Sequence, residues 1–82
     1  MRDGNALAGR LARLFTDRLH TEVPAADTDL FETGILDSLR FVELLAALEE
    51  AFGIRVSVED LEIDDFRSLS RIADFLAAKR VQ

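Results

Sequence analysis

The sequence predicts an all-α fold of four helices, with a long loop between helices one and two and a short third helix. Two observations carry this expectation. Apolar residues recur at three- and four-residue spacing in three separate runs, and no segment alternates like a strand except Ile54 to Val58, which is too short to make a sheet. The chain has 82 residues, room for one domain spanning 1–82, near the lower size at which an apolar core alone holds a fold.

Helix one is read from Leu7, Leu11, Leu14 and Phe15, with Leu19 beyond, while Arg10, Arg13, Asp17 and Arg18 fall between them. Asn5 is its expected N-cap, and Gly9 within it should cost about 1 kcal/mol relative to alanine unless close packing requires it. From His20 to Asp37 the periodicity lapses, and Pro24, Asp27, Thr28, Asp29 and Gly34 supply turn chemistry. So long a connection needs a reason, and Leu30, Phe31, Ile35 and Leu36 could pin it across the helices.

Helix two is expected from Ser38 to Phe52, with Asp37 as N-cap and Phe41, Leu44, Leu45, Leu48 and Phe52 as its core stripe. Gly53 reads as a left-handed stop, with Ile54 folding back toward Leu48 in Schellman fashion. Ser57 and Asp60 have capping-box spacing ahead of a short helix near Glu59 to Ile63. Ser68 caps a last helix to about Lys79, whose apolar side is Leu69, Ile72, Ala73, Phe75 and Leu76. Lys79 and Arg80 suit its C-terminal end.

Composition narrows the function. With 49% apolar and 32% charged residues the chain reads as globular and soluble. It has no cysteine, so any thiol chemistry must use an imported sulfur. A net charge of −6 argues against nucleic acid or an anionic membrane as partner. Arg10 and Arg13 interrupt any signal-peptide core, and no apolar stretch approaches the roughly 18 residues a membrane span needs, so a cytoplasmic monomer is expected.

The most informative residues are Asp37-Ser38-Leu39. They put a hydroxyl where a loop meets a helix, beside unpaired backbone N–H groups and the positive end of the helix dipole, so a phosphate esterified to Ser38 would be tolerated there. This is an attachment point more than an active site. Leu39, Val42 and Ala46 lie off the core stripe of helix two, flanked by Glu43, Glu49 and Glu50. Between Asp37 and Asp65 nine acids face only Arg40 and Arg55, a balance of −7, against +1 for the rest. Scattered exposed apolar residues are ordinary, but with Ser38 at the head of this face a docking surface for basic partners is the better account.

Catalytic and metal constellations are not evident, and no enzyme activity is expected. His20 is the sole histidine and sits where a helix-dipole contact explains it. A relay of Ser38, His20 and Asp37 would lack both oxyanion loop and nucleophile elbow. Asp64-Asp65 lacks calcium-loop spacing.

The array Leu30-Phe31-Glu32-Thr33-Gly34-Ile35-Leu36-Asp37-Ser38-Leu39, with Glu43-Leu44, Leu48-Glu49-Glu50, Phe52-Gly53-Ile54, Asp65-Phe66 and Ser68-Leu69, resembles the acyl carrier protein family, peptidyl and D-alanyl carriers included. The likeness covers roughly Leu7 to Leu76. It implies a four-helix bundle in which Ser38, next to the motif acid Asp37, receives 4′-phosphopantetheine from coenzyme A through a phosphopantetheinyl transferase, so that the thiol carries an acyl group as a thioester. For such a carrier an acyltransferase, adenylating ligase or ketosynthase is the further partner expected, and the docking face read from helix two is Leu39, Arg40, Val42, Glu43, Ala46, Glu49 and Glu50. Gly34-Ile35-Leu36-Asp37-Ser38 looks more like D-alanyl and other discrete aminoacyl carriers than the Leu-Gly-x-Asp-Ser-Leu of fatty-acid carriers, and Arg40 stands where those commonly have an acid. A dedicated carrier in polyketide or nonribosomal-type assembly is the first expectation and a D-alanyl carrier for cell-wall polymer modification the second. The competing classes are a helical interaction module in which Ser38 only caps, and a small hydrolase using Ser38.

Overall fold

The computed structural model describes residues 3–57, 59 and 61–80. They form three α-helices, α1 (Asp3–Arg18), α2 (Ser38–Phe52) and α3 (Leu69–Arg80), with a one-turn 3₁₀ helix at Ile63–Phe66 before α3. The all-α class holds, and no strand occurs among the described residues. The short helix expected near Glu59 to Ile63 is not confirmed: Glu59 is in 3₁₀ conformation between residues outside the description, Leu61 and Glu62 are not helical, and Ile63 opens a separate 3₁₀ turn. Asp60 of the expected capping box lies outside the described residues.

Each helix buries the stripe its spacing implies. Leu7, Leu11, Leu14 and Phe15 of α1 meet Leu69, Ile72, Ala73 and Leu76 of α3, and Leu44, Ala47 and Leu48 of α2 complete the core. Phe41, Leu45 and Phe52 border it, half-buried. At roughly 1.5–3 kcal/mol for each large apolar side chain taken out of water, this is the main source of stability. Four phenylalanine rings run through the bundle, Phe31 to Phe41 at 5.8 Å, Phe41 to Phe66 at 5.3 Å and Phe66 to Phe75 at 5.0 Å between centroids. They join loop, α2, 3₁₀ turn and α3.

The helix ends differ in detail from expectation. Asn5 falls inside α1, which begins at Asp3, so it is not the cap. A side chain on Gly9 would meet nothing within 4 Å, so no close approach requires the glycine. Gly53, at φ 65°, ends α2 through one bond from its N–H to Glu49 C=O at 3.0 Å. That is the simple left-handed cap; the second bond of a Schellman motif, from Ile54 N–H, is absent among the described residues. Ser68 caps α3 as expected, its hydroxyl accepting from Arg71 N–H at 3.2 Å.

The connection from Leu19 to Asp37 is strapped down. Leu30 and Leu36 are buried in the core, Leu30 N–H donates to Arg67 C=O at 2.6 Å, and Ser70 N–H donates to Ala26 C=O at 3.0 Å. Arg67 also bonds Asp64 through Nε at 2.6 Å and lies 3.5 Å from Asp29. The hydrogen bond and charge of Arg67 hold the Asp64 carboxyl below its usual range. Asp64 therefore has a structural partner of its own.

Candidate functional site

Ser38 is the first residue of α2, and the chain leading to it is built turn by turn. Asp29 Oδ1 accepts from the N–H groups of Phe31 and Glu32 at 3.0 and 2.8 Å. Thr33 N–H returns to Asp29 C=O at 3.1 Å, and Gly34, at φ 83°, reverses the chain where a side chain would be strained. Leu36 N–H then closes onto Leu30 C=O at 2.8 Å, so a buried anchor sits two residues before Ser38. Asp37 caps α2 from extended backbone, its Oδ1 accepting from Arg40 N–H at 2.9 Å and its C=O from Phe41 N–H at 2.8 Å.

Ser38 itself is exposed. Among the described residues no acceptor meets its own N–H or that of Leu39, which leaves two backbone donors free beside the hydroxyl. This fits a phosphodiester on Ser38 Oγ, since phosphate oxygens pair with free N–H groups at a helix start and the dipole favours their charge.

The residues expected to face partners fall into two groups. Leu39 and Val42 are 70% and 61% exposed, and Glu43 and Ala46 are exposed beside them. Arg40, Glu49 and Glu50 are engaged within the chain. Arg40 is half-buried and its Nη1 donates to Leu19 C=O at 3.1 Å and Thr21 Oγ1 at 2.6 Å. Glu49 is half-buried and accepts from Val56 N–H at 2.8 Å, fastening the chain after Gly53. Glu50 pairs with Arg18 across to α1. The sequence reading missed Ile63, which is 52% exposed at the start of the 3₁₀ turn. Four residues carry no periodicity from which its outward face could be read. His20 is exposed with φ 56°, where it turns the chain just past α1, and no hydrogen bond links it to Ser38.

Comparison with known proteins fits this geometry. Residues 9–76 match the family model described as phosphopantetheine attachment site, and the chain belongs to that family of acyl and peptidyl carrier proteins. Membership supports a covalently attached 4′-phosphopantetheine. It is 44% identical over 46 residues, 56% of this chain, to a D-alanyl carrier protein of Streptococcus pyogenes serotype M5 (strain Manfredo). Over 48 residues, 58% of this chain, it is also 44% identical to a D-alanyl carrier protein of Streptococcus sanguinis (strain SK36). The aligned chain spans 58% and 61% of those relatives' lengths. Among the described residues no helix is long and apolar enough to cross a membrane.

Proposed function

We propose that this chain is an aminoacyl carrier, with Ser38 as its attachment residue and D-alanine as its cargo. The observation that supports the attachment site most is an exposed hydroxyl on the first residue of α2 with two free N–H groups beside it. The name shared by its relatives supports the cargo. In the attachment step Ser38 Oγ forms a bond to the pantetheine-side phosphorus of coenzyme A. The pyrophosphate P–O bond breaks, adenosine 3′,5′-bisphosphate leaves with the electron pair, and the hydroxyl proton passes to a base on a phosphopantetheinyl transferase. Asp37 holds the helix start in place through its cap. Once attached, the arm supplies the thiol that a cysteine-free chain lacks.

The test is intact-mass measurement after coenzyme A and a promiscuous transferase, then ATP, D-alanine and an adenylating ligase. A pantetheinyl increment followed by a hydroxylamine-labile D-alanyl increment is expected. No first increment would remove the carrier reading for Ser38. A first increment with malonyl but not D-alanyl loading would return the chain to the polyketide alternative.

Loading enzymes are proposed to dock on Leu39, Val42 and Ala46, with Glu43 steering basic surfaces. Exposed charges act mainly on encounter and are screened over about 8 Å at physiological salt. Glu43→Lys should slow ligase loading at low salt, with the difference fading as salt rises, and leave thermal unfolding unchanged. Glu49→Lys should instead lower stability by about 1 kcal/mol, because Val56 N–H loses its acceptor. Loading kinetics across a salt series and circular dichroism melts separate the two.

A further inference from the structure

We propose that Arg40 is a positioning residue for phosphopantetheine attachment, acting as a clamp that holds the Ser38 end of α2 against the end of α1; this rests on the reading of Ser38 as the attachment site. Three hydrogen bonds close a small ring there. Arg40 Nη1 donates to Leu19 C=O at 3.1 Å and to Thr21 Oγ1 at 2.6 Å, and the Thr21 hydroxyl donates to the same Leu19 C=O at 3.1 Å. His20, at φ 56°, makes the reversal between them, and Thr21 N–H returns to Phe15 C=O at 3.1 Å, so the acceptor side is itself fixed.

Leu19 C=O is one of the carbonyls a helix end leaves unpaired, and a guanidinium is favoured at that negative pole of α1. Arg40 belongs at the same time to the first turn of α2, where its N–H fills the Asp37 cap at 2.9 Å. A first helical turn lacks the backbone bonds that stiffen the middle of a helix and frays unless side chains hold it. Here the cap holds it from the loop side and the guanidinium from the side of α1. Ser38 lies two residues away in that turn, about 3 Å along the axis. Loosening the clamp therefore loosens the hydroxyl that must meet phosphorus in line.

The clamp can be broken from either side. Arg40→Met removes the donors at similar volume, and Thr21→Val removes the hydroxyl isosterically while leaving the Arg40 charge. Each should lower kcat for pantetheinyl transfer about tenfold at unchanged KM for coenzyme A, a modest share of what misplacement of a reacting group can cost. The double variant should be no slower than either single one. Arg40→Lys, which keeps a charged donor, should recover most of the rate. Amide hydrogen exchange gives the readout away from turnover: Arg40 and Phe41 N–H should exchange faster in both single variants, with Leu44 and Leu48 unchanged. Assays are run where circular dichroism shows every variant folded.

Unmodified wild-type protein would sink the Ser38 reading and the clamp together. With wild type modified, a normal kcat for Thr21→Val overturns the clamp alone. A raised KM for the carrier in the Arg40 variants only would make Arg40 a direct contact to the transferase, and a lowered melting temperature at unchanged kcat would make it a stabilising tie; either result overturns positioning.

Discussion

Ser38→Ala is expected to keep its fold and to gain no phosphopantetheinyl mass when incubated with coenzyme A and the transferase. The fold should survive because Ser38 makes no hydrogen bond through its hydroxyl among the described residues, while the cap of α2 belongs to Asp37, which accepts from Arg40 N–H. Alanine is also the best helix former at such a position. The loss of modification should be complete, since alanine leaves no hydroxyl on the first residue of α2. Intact mass together with a circular dichroism melt reads both halves of the expectation. A modified Ser38→Ala protein would refute the assignment, and an unfolded one would show that the hydroxyl has a structural task.

Leu48→Ala should cost roughly 2–5 kcal/mol, by lost transfer free energy and by the cavity left behind. Leu48 is fully buried in the core cluster to which all three helices contribute, so the hole has little means of collapse. Such a loss is a large part of the 5–15 kcal/mol typical of folded proteins. Val42→Ala, only six residues earlier on the same helix but 61% exposed, should cost far less. Urea unfolding of both variants checks the orientation of α2 directly, because equal losses would mean that the helix presents a different face to the core.

The same contrast marks how far the residues alone could be read. The bounds of α2 were legible because three local signals agree: Asp37 as cap, a periodic apolar stripe, and Gly53 at positive φ. Ser38 was legible for the same reason, since its exposure follows from its place in that helix. The roles of Arg40, Glu49 and Glu50 were not, because their partners lie elsewhere in the chain. Arg40 reaches residues 19 and 21, Glu49 reaches Val56, and Glu50 reaches Arg18. Such pairs become neighbours only when the helices pack. The 3₁₀ turn at Ile63–Phe66 was not legible because four residues offer neither period nor side-chain cap, and no cap bond is formed at Glu62.

With Leu36 buried two residues before Ser38 and Leu30 tied to Arg67, an arm on Ser38, as proposed, would hang from the packed core and not from a swinging connector. The volume swept by the thiol is then set by the length of the arm alone, and its local concentration at a neighbouring active site depends on how the whole bundle is oriented there. A small rotation of the docked protein would redirect the entire swept volume.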